Sequence, residues 1–168
     1  ISRKRILVAG SSGMIGTQLV AFLDTGGHEV WRLVRRDIKV GANEIHWDPV
    51  NGDLQPSDIE GFDIVIHLGG EGIGDKRWST KRKQAIRDSR VISTRLLAET
   101  IASLENKPEA FVLASAIGWY GDRGDQELDE SNSSGDGYLP DVCVEWEAAA
   151  APVEAAGIRT CFLRSGIV

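Results

Sequence analysis

The stretch Ile6-Leu7-Val8-Ala9-Gly10-Ser11-Ser12-Gly13-Met14-Ile15-Gly16 decides the fold of this 168-residue chain. Its four apolar residues are typical of a buried strand, and the glycines that follow predict a helix that begins near Gly13. The spacing Gly10, Gly13, Gly16 is a variant of the glycine fingerprint found where a strand turns into a helix that binds a dinucleotide.

Each glycine of this fingerprint has a physical role. Gly10 permits the tight turn, Gly13 lets the backbone approach a pyrophosphate, and Gly16 lets the helix pack closely on the strand. The free N–H groups at the helix start, with the positive end of the helix dipole, face the anion. We therefore predict a cofactor-binding loop formed by Gly10, Ser11, Ser12, Gly13, Met14, Ile15 and Gly16.

The residues around the loop strengthen this prediction. The helix that it opens carries Ile15, Leu19, Val20 and Leu23 at helical spacing, and it ends at the C-cap signal Gly26-Gly27. An apolar strand follows at once, which completes a βαβ unit of about 30 residues. The alternative is a purely structural turn in an α/β domain.

The rest of the chain alternates strands with helices, which predicts an α/β fold of the Rossmann type, with a doubly wound parallel sheet between two helical layers. Ile86, Ile92 and Leu97 are among the residues that the long second helix is expected to bury. The six predicted strands cover about residues 4–9, 29–34, 43–48, 62–68, 110–116 and 159–165, and the helices about 13–26, 79–104 and 140–156.

Composition bounds the function classes. The formal net charge of −6 argues against a nucleic-acid-binding protein, and no apolar run is long enough to span a membrane. Cys143 and Cys161 form no C-x-x-C motif, so we expect reduced thiols, no metal site and a cytoplasmic protein. An organelle stays open if a leader was removed before Ile1, and a homo-oligomer is left open.

The end of the second strand predicts the type of dinucleotide. Sites that prefer NAD carry an acidic residue there, which binds the ribose 2′-hydroxyl. Here the chain reads Val34-Arg35-Arg36, and a guanidinium pairs well with a phosphate. Arg35 and Arg36 therefore predict NADP as the cofactor, and the alternative is a solvated basic turn.

Two further strand ends carry candidate site residues. Leu68, Gly69 and Gly70 end the fourth strand, where glycine lets a cofactor lie against the backbone. His67, just before them, is interpreted as a core polar group rather than a catalytic base. Ser115 and Tyr120 follow the fifth strand, at the rim where open α/β sheets bind ligands.

These segments together resemble the extended short-chain dehydrogenase/reductase superfamily. The glycine loop is similar to its cofactor signature, and His67-Leu68-Gly69-Gly70 stands where that group has an Asn-Ala-Ala-Gly-type turn. The segment Ser115-Ala116-Ile117-Gly118-Trp119-Tyr120-Gly121 resembles its strand-five signature.

The resemblance is narrower still, to the atypical subgroup called the epimerase family, or nucleoside-diphosphate-sugar-epimerase-like proteins. It implies that residues 1–168 are the NAD(P)-binding Rossmann domain of a larger protein, truncated before a C-terminal substrate-binding region. The segments that carry it are Leu68–Ile73 with Arg77-Trp78, Ser89-Arg90-Val91 with Thr94, and Val142-Cys143 to Ala149.

The sequence departs from the superfamily in its catalytic residues. Members use a Tyr-x-x-x-Lys pair, in which the lysine lowers the tyrosine pKa, together with a Ser or Thr. Here the residue four beyond Tyr138 is Val142, and the usual hydroxyl position falls on Ala116. The resemblance leaves Ser115 and Tyr120 as the catalytic candidates, with Glu145 and Glu147 as other groups of suitable chemistry nearby.

Three functions follow as hypotheses. The first is an NADP-dependent oxidoreductase or epimerase that acts on a small hydroxylated or nucleotide-sugar-type substrate. The second is a non-catalytic NADP-binding sensor or scaffold, suggested by the missing Tyr/Lys pair. The third is a flavin or other mononucleotide domain, which would gain no affinity from a 2′-phosphate.

Overall fold

The computed structural model describes residues 2–74 and 77–166, which form one six-stranded parallel sheet in the order β3-β2-β1-β4-β5-β6. Every neighbouring pair of strands is parallel, as the alternation of strands and helices predicts. The strands are β1 (Arg5–Ala9), β2 (Glu29–Val34), β3 (Glu44–His46), β4 (Ile64–His67), β5 (Ala110–Ala116) and β6 (Arg159–Ser165).

The helices largely follow the predicted bounds. The predicted third helix is wrong in one respect, because two helices occupy it. Pro152 is the second residue of the second helix, because proline, which lacks the N–H, is tolerated in the first turn of a helix but not in its interior. The helices are α1 (Met14–Thr25), α2 (Thr80–Ser103), α3 (Tyr138–Ala148) and α4 (Ala151–Ala155), with single 3₁₀ turns at Pro56–Asp58 and Ile117–Tyr120.

The strand order reverses between β1 and β4. From β1 the chain builds outward to β2 and β3, then returns to place β4 on the other side of β1. Ala9 is paired with Leu33 of β2 and with His67 of β4, so the three strands end level with one another. The loops that follow these strands therefore meet at one edge of the sheet, where doubly wound folds bind ligands.

The core covers both faces of the sheet. On one face Leu7 and Ala9 pack with α2 residues such as Leu97, and on the other Ile6 and Val8 pack with Val20 of α1. The expected burial of Ile92 is wrong, since this residue is 43% exposed. No helix within the described residues is both long and apolar enough to cross a membrane.

Candidate functional site

A cleft of about 1060 Å³ opens at the edge where β1, β2 and β4 end. Clefts of several hundred to about 1,000 Å³ are typical of small-molecule and cofactor sites. Its walls come from the glycine loop, the end of β2, the residues after β3 and β4, and one face of α2. Among the lining residues are Gly10, Ser11, Ser12, Gly13, Arg32, Arg35, Arg36, Trp47, His67, Leu68, Gly69, Gly70, Ser89, Ile92 and Ser93.

The loops after β1 and β4 touch backbone to backbone. Gly10 has a φ of +79°, and a Cβ atom there would lie 2.6 Å from the Gly69 nitrogen. A Cβ atom at Gly16 would lie 2.2 Å from the Gly10 carbonyl oxygen, so α1 packs against the turn itself. Gly10 and Gly16 are therefore required by the protein's own packing, as the sequence predicts.

Gly13 differs from the other two glycines. A Cβ atom there would meet only the Gly10 oxygen, at 3.5 Å, which is an ordinary contact. Gly13 is the N-cap of α1, its backbone is extended, and no side chain caps the helix. The first-turn N–H groups of α1 are thus open to an anion at the mouth of the cleft. This uncapped helix start fits the pyrophosphate of a dinucleotide.

The cleft brings together most of the residues predicted to bind the cofactor. Met14 and Ile15 lie outside its lining and are exposed, and Gly16 is buried against Gly10. A cofactor contact stays a prediction for these three residues and for those that line the cleft. The predicted residues that line the cleft are Gly10, Ser11, Ser12, Gly13, Arg35, Arg36, Leu68, Gly69 and Gly70.

The two arginines after β2 have different surroundings. The Arg36 guanidinium donates to both carboxylate oxygens of Glu44, over 2.9 and 2.5 Å. Hydrogen bonding by Arg36 lowers the pKa of the Glu44 carboxyl to about 2, so Glu44 is charged at neutral pH. The exposed Arg35 side chain forms no hydrogen bond or ion pair with any described residue.

His67 lies fully buried at the end of β4, where it holds the next turn of the cleft. Its Nδ1 accepts a hydrogen bond from the Gly69 N–H over 3.2 Å, and its Nε2 lies 2.9 Å from the Ser93 hydroxyl. Since that hydroxyl donates to the Ser89 carbonyl, Nε2 carries the proton. Burial lowers the pKa of His67 to about 4, so the ring is neutral. His67 is a satisfied core group, as predicted.

Several residues of the cleft are not predicted from the sequence. Trp47 packs edge-on against His67, with ring centroids 5.8 Å apart, and also lines the cleft. Arg32 lies two residues before the end of β2 and adds a third cationic side chain. Ile92 and Ser93 lie three and four residues after Ser89 on α2, a spacing that marks one helix face. That spacing is a usable signal only once α2 is known to pass the cleft.

The two predicted catalytic residues lie outside the lining of the cleft. Ser115 is 3% exposed and donates to Glu147 Oε1 over 2.6 Å. The Tyr120 hydroxyl accepts from Arg164 Nη1 over 3.2 Å. Arg164 also donates to both oxygens of Glu147, at 2.9 Å each, so these four side chains form one network. A catalytic role for Ser115 and Tyr120 stays a prediction.

The segments that carry the family resemblance meet on α2 and α3. Trp146 of α3 donates through Nε1 to the Thr94 hydroxyl over 3.1 Å, and both side chains are buried. The Arg90 guanidinium lies 5.0 Å from the centre of a Trp146 ring and donates to the Glu71 carbonyl. These contacts join the loop after β4 to both helices.

Known proteins are similar to this chain in sequence and in architecture. The sequence pattern of the NAD dependent epimerase/dehydratase family matches residues 6–165. An epimerase family protein of Mycobacterium leprae is 41% identical over an alignment of 168 positions that covers 99% of this chain and 54% of the relative. The human epimerase family protein SDR39U1 is 35% identical over 167 residues, which are 98% of this chain and 54% of the relative.

Two solved structures carry the comparison further. The crystal structure of a nucleoside-diphosphate sugar epimerase from Corynebacterium glutamicum superposes with a TM-score of 0.85 at 41% identity, over 97% of this chain and 34% of that one. The structure of human SDR39U1 (isoform 2) with NADPH superposes with a TM-score of 0.85 at 31% identity, over 97% of this chain and 54% of that one.

The chain spans about half the length of the curated relatives it matches. The match nevertheless runs through nearly all of its residues, from β1 to β6. The predicted family is therefore confirmed, and the chain belongs to the NAD dependent epimerase/dehydratase family, within the extended short-chain dehydrogenase/reductase fold.

Proposed function

We propose that this chain is the NADP-binding portion of an oxidoreductase or epimerase that acts on a small hydroxylated or nucleotide-sugar-type substrate. The observation that carries the proposal is the cleft. In it an uncapped helix start and the Arg35 guanidinium, which has no partner among the described residues, line one continuous space. The human relative solved with NADPH and the relative named as a nucleoside-diphosphate sugar epimerase support the cofactor and the substrate class.

Different residues of the cleft would hold different parts of the cofactor. The open N–H groups after Gly13 would hold the pyrophosphate, and Arg35 would hold the 2′-phosphate of the adenosine ribose. The turn at Gly69, fixed by His67, presents backbone without a side chain to the dinucleotide. When bound, the nicotinamide supplies hydride transfer to or from a substrate carbon.

A titration of the intact protein with NADPH and NADH, followed by intrinsic tryptophan fluorescence or calorimetry, tests the cofactor. We expect saturable binding with NADPH preferred. Turnover is then measured over a panel of carbonyl compounds and sugar nucleotides. Failure of NADPH to bind a folded sample would contradict the proposal, and so would equal affinity for NADH and NADPH.

A second candidate function is a non-catalytic NADP-binding sensor or scaffold. It is favoured by the network of Ser115, Tyr120, Glu147 and Arg164, which engages both predicted catalytic hydroxyls outside the cleft. Tight NADPH binding without turnover, together with a partner protein whose affinity depends on the nucleotide, would support it. A turnover number that falls in Tyr120→Phe while NADPH affinity is unchanged would support the enzyme instead.

A further inference from the structure

Glu44 is a buried carboxylate that pairs with Arg36, one of the residues lining the cleft that is proposed to bind a phosphate. It begins the edge strand β3, and its side chain is 1% exposed. Its oxygens accept from both terminal nitrogens of Arg36 and from the Lys39 backbone N–H, at 2.5 to 2.9 Å. A buried carboxylate needs such partners, because an unpaired one would carry a large desolvation penalty.

Glu44 occupies the two terminal nitrogens of Arg36, a donor pair with which this side chain could bind a phosphate. A guanidinium binds a phosphate with the same pair of parallel N–H donors that it offers a carboxylate. In Arg36 both terminal nitrogens are directed to Glu44, and one of them also donates to the Asp37 carbonyl. The Arg36 carbonyl lies 3.2 Å from His46 Nδ1, which ties the backbone of Arg36 to β3 as well.

Arg35 lines the same cleft without any such partner in the described part of the chain. We propose that Glu44 withholds the Arg36 guanidinium from the 2′-phosphate, leaves its recognition to Arg35, and thereby limits the preference for NADPH over NADH. The inference rests on the proposed function for its ligand. It goes beyond that function by making a residue that touches no cofactor a determinant of specificity.

Dissociation constants for NADPH and NADH, measured by fluorescence titration of the intact protein, test the inference through their ratio. We expect Glu44→Gln to raise the preference for NADPH about tenfold, because Arg36 gains freedom to add a charge-assisted contact. In Glu44→Gln/Arg36→Gln the gain should disappear. The double variant leaves no unpaired buried charge, so it keeps the test valid where Arg36→Gln alone fails to fold.

The effects of the Glu44 and Arg36 substitutions should not be additive, and this distinguishes the release of Arg36 from a simple change in local charge. Arg36→Gln should leave the ratio nearly unchanged when Glu44 is present and lower it about tenfold when Glu44 is Gln. Equal effects of Arg36→Gln in both backgrounds would overturn the inference. So would an unchanged ratio in Glu44→Gln, or an equal weakening of both nucleotides, which marks a purely structural role.

Arg159→Gln is the matched control, since it removes one exposed positive charge at the start of β6. It should leave the ratio unchanged. The two proposals fail separately: a wild-type protein that does not prefer NADPH contradicts the proposed function. A wild-type protein that prefers NADPH, with an unchanged ratio in Glu44→Gln, contradicts only the inference about Glu44.

Discussion

Ser115 donates its hydroxyl hydrogen bond to Glu147 Oε1 over 2.6 Å, across the buried space between β5 and α3. The same carboxylate pairs with Arg164 of β6, and the two side chains are only 8% and 15% exposed. Arg164 in turn lies 3.8 Å from the centre of a Trp119 ring. Glu147 therefore joins the last two strands of the sheet to the 3₁₀ turn that follows β5.

Removal of Glu147 should destabilise the protein strongly. In Glu147→Ala the Arg164 guanidinium loses its carboxylate and Ser115 loses its acceptor, which leaves a largely buried charge unpaired. Breaking a buried pair in this way costs about 3–5 kcal/mol of unfolding free energy. Urea unfolding followed by circular dichroism measures the loss. Glu154→Ala, at an exposed position of α4, is the control, with an expected change within about 0.5 kcal/mol. A similar midpoint for both variants would contradict the prediction.

The burial of His67 should make the free energy of unfolding depend on pH. Burial lowers its pKa from 6.5 to about 4, whereas the unfolded chain keeps the ordinary value. Between these pH values the unfolded chain binds the proton and the folded chain does not, so acid favours unfolding. The contribution is complete above pH 6.5 and is lost as the pH falls to about 4, for a total of about 3 kcal/mol.

Denaturant unfolding at pH 4.5, 5.5 and 6.5 gives the slope of the free energy of unfolding against pH, for the wild type and for His67→Gln. The slope should largely disappear in the variant, whatever the substitution costs at pH 7. His46→Gln, at an exposed position, should keep it. An unchanged slope in His67→Gln would show that other groups cause the acid sensitivity.

The strands and the glycine turn could be predicted because their signals are local. The spacing of Gly10 and Gly16 fixes the first turn, and the observed bounds of β2, β5 and β6 equal the predicted ones. Pro152 also marked a boundary in the third predicted helix. The apolar pattern continues past it, which is why the sequence predicts one helix where two are present.

The pairings in the site could not be predicted, because they depend on how distant segments approach. Ser115 and Glu147 are 32 residues apart, and only the packing of α3 on β5 brings them together. Arg35 and Arg36 are equivalent in sequence, and they differ only because β3 places Glu44 beside Arg36. Ile92 is apolar at helical spacing, a pattern that does not distinguish a core from the wall of a cleft.

Arg35 should set the preference between the two pyridine nucleotides. Arg35→Asp should lower the affinity for NADPH about 10–100-fold, because a charge-assisted contact is worth about 1.5–3 kcal/mol. NADH affinity should be kept or improved, since a carboxylate can accept from the 2′-hydroxyl. Titration of both nucleotides measures the change. Equal losses for both nucleotides would contradict the prediction. An NADPH loss in Arg32→Gln, with none in Arg35→Asp, would assign the phosphate contact to Arg32 instead.

Alanine substitutions at Gly13 and Gly16 should have different effects, on nucleotide binding at Gly13 and on stability at Gly16. In Gly16→Ala the new Cβ would lie 2.2 Å from the Gly10 oxygen, so α1 must move off the turn, and we expect a destabilisation of at least 1–3 kcal/mol. In Gly13→Ala the nearest atom is 3.5 Å away and the backbone is extended, so the melting temperature should stay nearly unchanged. Its methyl group would instead point where a pyrophosphate needs bare backbone, and NADPH and NADH should both weaken about tenfold or more. Thermal unfolding without nucleotide and titration with both nucleotides measure the two effects. If Gly13→Ala kept full affinity for both, the pyrophosphate would not lie at the start of α1.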